Sequence, residues 1–268
     1  MLTDSRQLKT EIPAKSPLSI AVIGAGKIGS TFAYELARAG HDVTVIARPD
    51  SLRLQQLQRD QGIILKTRER AEVRVADKLN EEAAYNLVVV TTPAHQVDAV
   101  LPALHRSKAH CVQFMFVTFE PERLRDAIGS HRCSFGMPAV MATMDSEGRI
   151  KPTIISSLKI LRGDQRWAEL FSSAGIPSAF EPEMALWLRC EAPLTAAIES
   201  IAVAGQRSGG SATWAEGESG RRWVARRLRN RQGTGVSPVP VYQVHDVLCS
   251  QLPDRLPAMG FLPHPRNA

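Results

Sequence analysis

Cysteine is scarce and scattered in this chain. Cys111, Cys133, Cys190 and Cys249 are the four among 268 residues, and none forms a CxxC pair. That spacing gives no support to a disulfide framework or a zinc site and leaves free, buried or half-buried thiols as the expectation. No His/Cys/Asp spacing suggests another metal, and no GxSxG or comparable nucleophile motif is present. The first 17 residues, MLTDSRQLKTEIPAKSP, mix charges and lack the apolar centre of a secretory signal. No uninterrupted apolar run approaches the roughly 18–20 residues that span a bilayer, so a cytoplasmic protein with no membrane partner is expected. Hydrophobic residues at 44 % and charged residues at 22 % leave room for a sizeable core.

Acidic residues are outnumbered, and the formal net charge is +6. The excess is local. Arg221 to Arg231 (RRWVARRLRNR) holds six arginines and no acid, and the remaining 27 lysines and arginines equal the 27 acids. Such a run reads as a solvated helix face or a tail. No recognised binding motif accompanies it, so nucleic acid is not the expected partner.

What is present is concentrated near the start. Residues 18–23 (LSIAVI) form a short apolar run typical of a buried parallel strand. Gly24, Ala25, Gly26, Lys27, Ile28 and Gly29 follow as GAGKIG. STFAYELARAG then has helical spacing, with Phe32, Leu36 and Ala39 on one side, and ends at Gly40; DVTVIAR (42–48) reads as a second strand. Strand, glycine turn, helix and strand within about 30 residues is the context that gives GxGxxG its meaning. Gly24 permits the tight turn, Gly26 lets a pyrophosphate approach the backbone, and Gly29 lets the helix pack closely on the sheet. The helix N-terminus offers unpaired N–H groups to phosphate. The expected fold is α/β, with a Rossmann-type parallel sheet domain followed by a smaller, incomplete α-helical domain.

The end of the second strand selects the cofactor. Where an NAD enzyme usually places Asp or Glu for the ribose 2′-hydroxyl, this chain reads Ile46-Ala47-Arg48-Pro49, and Asp50 comes two residues late. The planar fork of Arg48 suits a 2′-phosphate, which favours NADP(H) over NAD(H). A surface arginine is the alternative reading of Arg48.

Beyond it, 52–60 reads as helix, 62–65 and 71–75 as short strands, and 78–84 as a short helix. YNLVVVTTP (85–93) reads as a buried strand whose end places Thr91, Thr92 and Pro93 toward the cofactor. Residues 95–104 read as helix and 110–117 as another strand. Residues 119–140 read as a helix and then a strand, 150–160 as sheet, and 166–180 as a helix with a short strand. A long helical pattern runs over 181–205. After Gly205 the periodicity deteriorates, and 233–268 holds prolines at 238, 240, 253, 257, 263 and 265.

This order resembles the ketopantoate reductase (2-dehydropantoate 2-reductase) family over roughly residues 17–205. GAGKIG, Arg48, VVVTTPAHQV, FEPERLRDAIG before Phe135-Gly136, and AGIP followed by MALWLR carry the resemblance. It implies an enzyme of pantothenate biosynthesis, one that uses NADPH to reduce the ketone of a small 2-oxo acid. It also implies a homodimer through the helical domain. In the family pattern a lysine follows a tryptophan, and an asparagine comes one turn later. Here Trp187 is followed by Arg189, with Pro193 at the later position. Phe116 is nearest to the family asparagine after the fifth strand, and the family lysine after strand four is replaced around Pro93. Arg189 is the candidate for holding the substrate carboxylate, since arginine binds oxyanions but is a poor general acid. Its alternative is a salt bridge with Glu191 or Glu199, which otherwise read as solvated helix residues. His41 and His95 read as loop or surface histidines. The implied organisation is a flexible extension over 1–16, the nucleotide domain over 17–181, a truncated helical domain over 182–232 and a Pro-rich tail over 233–268. An NADP(H)-binding protein without turnover is the alternative function.

Overall fold

In the computed structural model, residues 16–138, 140–154, 161–163 and 165–207 are described. The expected extension over 1–16, except its last residue, lies outside them, as do Cys249, the arginine run and the Pro-rich tail. β1 (Ser19–Ile23), α1 (Lys27–Arg38), β2 (Asp42–Ile46) and α2 (Leu52–Asp60) open the chain in the expected order. Two short strands follow, β3 (Gly62–Ile64) and β4 (Arg70–Glu72), then β5 (Arg74–Ala76) and β6 (Leu87–Val90). A 3₁₀ turn over Ala94–Ala99 leads into α3 (Leu101–Arg106), β7 (Val112–Phe114) and α4 (Pro121–Ile128). The remainder is β8 (Cys133–Met137), β9 (Val140–Met144), β10 (Ile150–Ile154), β11 (Leu161–Gly163), α5 (Gln165–Ser173), β12 (Ser178–Phe180) and α6 (Met184–Arg207).

Eight strands make one sheet among the described residues, in the order β12-β11-β8-β7-β6-β1-β2-β5. The six from β8 to β5 are mutually parallel, and β11 joins β8 antiparallel. Both faces of this sheet are covered, which is why β1 and β6 are apolar at nearly every position rather than alternating. Ile20, Val22 and Val89 point to one face with Phe32 and Leu36 of α1, Leu57 of α2 and Phe171 of α5. Ala21, Ile23, Val88 and Val90 point to the other with Leu104 of α3, Leu124 of α4, and Trp187 and Leu188 of α6. This two-sided burial is the α/β Rossmann architecture.

Several local expectations need correction. Residues 78–84 form turns, not a helix. Asn80 Oδ1 accepts from the Glu82 amide at 3.1 Å and its carbonyl from the Ala83 amide at 3.2 Å, a local arrangement that competes with helix. The run 71–75 is split: β4 pairs antiparallel with β3, while β5 adds to β2 as the sheet edge. Within 150–160, β10 pairs with β9 in a separate antiparallel hairpin, and 155–160 lie outside the described residues. Ala39 is exposed and caps α1 instead of packing with Phe32 and Leu36. Gly40, at φ +87°, donates to the Ala37 carbonyl and His41 to that of Leu36, a Schellman ending that needs a left-handed residue. His41 is half-buried, and its Nδ1 accepts from the Leu18 amide at 3.3 Å. No helix among the described residues is long and apolar enough to cross a membrane.

Candidate functional site

Strand order reverses between β1 and β6: the chain leaves β1 toward β2 on one side and returns to β6 on the other. In doubly wound sheets the crevice at the carboxyl ends of such a strand pair takes the ligand. Here that crevice is formed by the residues after Ile23 and after Val90. Thr91 ties the two loops, its amide donating to the Ile23 carbonyl at 2.8 Å. Its hydroxyl lies 3.1 Å from that oxygen and 2.9 Å from the Gly24 carbonyl oxygen.

The three glycines do three different things. Gly24 has φ +102°, and a Cβ there would meet Thr91 Oγ1 at 2.8 Å and the Thr92 amide at 3.0 Å. A Cβ on Gly29 would run into the Gly24 carbonyl oxygen and Thr91 Oγ1, so α1 could not sit this close to the strand ends. A Cβ on Gly26 would meet nothing within 4 Å. Its open side is therefore not taken up by the protein's own packing. Gly26 is the N-cap of α1, with no side-chain cap and no acid in the first turn. The first helical bond is Ser30 N–H to the Gly26 carbonyl, so the amides before it are unused by the helix. Lys27 is exposed and Ile28 half-buried beside them, and Ala25 is buried. Across the crevice, Thr92 Oγ1 is buried with no hydrogen-bond partner and Pro93 is exposed. An uncapped helix start, an open glycine and an orphaned hydroxyl fit a dinucleotide's phosphates and polar edges.

Arg48 stands exposed at the end of β2, just past buried Ala47. Its carbonyl accepts from Ser51 Oγ at 2.7 Å, and Ser51 caps α2 by accepting from the Leu54 amide at 3.2 Å. Among the described residues no carboxylate pairs with the Arg48 guanidinium. Residue position and charge thus leave it available beside the glycine turn.

Arg189, on α6, is engaged: its Nη2 pairs with the Glu122 carboxylate of α4, a partner not expected from sequence. Burial alone pushes the Glu122 carboxyl up, but its own backbone amide and the Arg189 guanidinium outweigh that and leave it lowered. Phe116 is buried and meets Phe114 edge-on at 5.8 Å, while Phe114 stacks with Phe135 at 5.9 Å. Trp187 and Leu188 pack into the same cluster. Pro193 lies inside α6 and has no N–H for the Arg189 carbonyl. Phe116, nearest in sequence to the family asparagine, is therefore part of a buried aromatic cluster. His95 is exposed beside Gln96. Cys111, Cys133 and Cys190 are half-buried and form no disulfide among the described residues, Cys111 Sγ accepts from Trp167 Nε1 at 3.2 Å, and burial pushes the Cys133 thiol up to about 12. No group of three potential metal ligands occurs among the described residues.

One residue escaped sequence reasoning. Arg53, on α2, donates from Nε to the Ala25 carbonyl at 3.1 Å, from Nη2 to Ser30 Oγ at 2.9 Å and from Nη1 to the Gly148 carbonyl at 2.8 Å. Its place in a polar helix run carried no signal for this; only the fold brings residues 25, 53 and 148 together.

The family model described as "Ketopantoate reductase PanE/ApbA" matches residues 20–164. A PanE/ApbA family ketopantoate reductase from Ralstonia eutropha JMP134 superposes with a TM-score of 0.64 at 19 % identity, covering 86 % of this chain and 80 % of that one. A probable 2-dehydropantoate 2-reductase from Bacillus subtilis gives 0.54 at 24 % identity, covering 68 % and 64 %. Among curated proteins, D-amino acid dehydrogenase from Cereibacter sphaeroides is 55 % identical over 38 residues, only 14 % of this chain and 9 % of that protein. At these identities the structural likenesses show the fold.

Proposed function

Since the chain belongs to the ketopantoate reductase (PanE/ApbA) family, we propose that it is an oxidoreductase that uses NADP(H) to reduce the ketone of a small 2-oxo acid. The carrying observation is the open face of Gly26 at an uncapped, acid-free helix start, with an unpaired arginine at the end of the neighbouring strand. When bound, the reduced dinucleotide supplies the hydride. The chain supplies the rest. Gly24, Ala25, Gly26, Lys27, Ile28 and Gly29 form the turn and helix start that seat the pyrophosphate. Arg48 takes the 2′-phosphate in its planar fork. Thr91, Thr92 and Pro93 line the crevice opposite, with the unpartnered Thr92 hydroxyl free to bond the ligand. Arg189 holds the substrate carboxylate, which must compete with Glu122 for the guanidinium. Three described cysteines in no disulfide suit a reducing, cytoplasmic setting, and a homodimer is the assembly proposed.

A second reading has its own observation. With Arg189 tied to Glu122, and with Phe116 and Pro193 at the family's asparagine positions, the chain binds NADP(H) without turning over. Steady NADPH oxidation with any of a panel of 2-oxo acids removes this second reading; tight binding with none removes the first.

The cofactor is tested by titrating NADPH and NADH against wild type and Arg48→Ala. Losing one charge-assisted contact of about 1.5–3 kcal/mol weakens NADPH by roughly 10- to 150-fold and leaves NADH almost unchanged. Equal wild-type affinities for the two would sink the NADP(H) assignment.

A further inference from the structure

The peptide between Ala25 and Gly26 is held from below. The Ala25 carbonyl oxygen accepts from Arg53 Nε and from Ser30 Oγ, both at 3.1 Å. Ser30 is itself fully buried and accepts from Arg53 Nη2. The chain contains no cis peptide among its described residues. In a trans peptide the C=O and the following N–H point in opposite directions. Pinning the Ala25 oxygen inward therefore aims the Gly26 N–H to the opposite side of the peptide, beside a Gly26 on which a Cβ would meet no protein atom within 4 Å. That N–H has no acceptor among the described residues.

Arg53 is itself positioned from two directions. α2 carries it, and the turn between β9 and β10 receives its third bond. Gly148 has φ +84°, and a Cβ there would strike Arg53 and Gln56. The same face of α2 fixes that turn again, through Gln56 Nε2 to the Ser146 carbonyl at 2.8 Å and Arg59 Nη2 to the Glu147 carbonyl at 3.3 Å. Among the described residues no carboxylate bonds the Arg53 guanidinium, which donates to two carbonyls and one hydroxyl. Burial pushes its pKa down, opposed by the charge of Asp60. A cation with no bonded anion among the described residues, one hydrogen bond behind the uncapped start of α1, is complementary to the negative charge of a pyrophosphate.

We propose that Arg53 is a positioning residue for the pyrophosphate of the cofactor: it locks the Ala25–Gly26 peptide so that the Gly26 amide faces the phosphates, and it adds positive charge beneath them. This rests on the dinucleotide-binding reading above and deepens it. It also makes the β9–β10 hairpin, which lies outside the main sheet, part of the support for the cofactor site.

The test uses the full chain and three probes: NADPH, ADP (a pyrophosphate without the 2′-phosphate) and adenosine 2′-monophosphate (the reverse). Wild type is compared with Arg53→Met and Arg53→Lys. The expected result for Arg53→Met is a loss of roughly tenfold or more for ADP and NADPH, with adenosine 2′-monophosphate held within about twofold. Arg53→Lys keeps the charge but not the fork and falls between. Unchanged ADP affinity in Arg53→Met, or equal losses for ADP and adenosine 2′-monophosphate, overturns the proposal. Should Arg53→Met fail to fold, Ser30→Ala removes the second donor to Ala25, and the same selective loss is required of it. A wild type that binds none of the three probes, nor NADH, overturns the dinucleotide reading together with this one. A wild type that binds them beside an unselective Arg53→Met overturns only the role of Arg53.

Discussion

At the scale of single residues, the glycine motif divides into positions where the protein's own packing needs glycine and one, Gly26, where it does not. Gly26 has φ −70° and ψ −169°, open to any L-residue, and its missing side chain leaves empty space. Gly26→Ala is expected to keep its stability within about 0.5 kcal/mol while weakening NADPH at least roughly tenfold, the extra methyl occupying the phosphate's approach. Gly29→Ala has the opposite character. Its methyl would collide with the Gly24 carbonyl and Thr91, forcing α1 away from the sheet at a cost of about 1–3 kcal/mol. Urea unfolding and NADPH titration of the two variants check both statements; a destabilised Gly26→Ala would show that the open space is taken up by the protein itself. The turn's glycines were legible in sequence because their constraint is local, a matter of φ and of close approach within one turn. Arg53 and Gly148 were not. Their constraint is a meeting of residues 95 apart in the chain, which helix periodicity does not record.

At the scale of elements, the strands of the parallel sheet were readable because burial on both faces demands unbroken apolar runs. Partner choice was not readable. The run around Ala71 and Val75 looked like one strand, yet β4 serves a small hairpin and β5 the main sheet, since period-2 patterning states which face is buried and not which neighbour is bonded. Asn80 turned an expected helix into a turn by a side-chain bond that apolar periodicity does not weigh. The α4–α6 pair raises the same question of partner for Arg189. Its ion pair with Glu122 is partly exposed, 30 % and 50 % for the two side chains, so a double-mutant cycle on stability is expected to give only about 0.2–1 kcal/mol. If Arg189 holds the substrate carboxylate, Arg189→Ala raises KM for the 2-oxo acid roughly tenfold or more. Glu122→Gln, which frees the guanidinium, does not raise it. Equal, small changes in both variants would assign Arg189 to helix packing alone.

At the scale of the whole molecule, stability against pH sums groups of opposite sign. Burial lowers the pKa of His41, whose Nδ1 must stay unprotonated to accept from Leu18. A base with a depressed folded value contributes its stability in full above the ordinary histidine value of about 6.5 and loses it as pH falls below that. Hydrogen bonds from Arg59 and Arg149 hold Asp60 and Asp145 below the usual carboxylate range, so their contribution is present above about pH 4 and lost below. Burial raises Glu35, whose contribution runs the other way and is lost as pH rises past its ordinary value. Between pH 7 and 5 the contribution of His41 declines while that of Glu35 opposes it, and His41→Gln removes the declining part; urea midpoints at pH 7, 6 and 5 measure it, and an unchanged slope in that variant would remove His41 as a contributor. By itself the sequence determined the α/β class, the glycine turn, and Arg48 at the end of the second strand, because each follows from local backbone geometry or from burial periodicity. Only the tertiary structure decided that Arg189 meets Glu122, that Thr92 carries an unpartnered hydroxyl, and that Arg53 braces the turn from behind, because these depend on which distant segments the sheet order brings side by side.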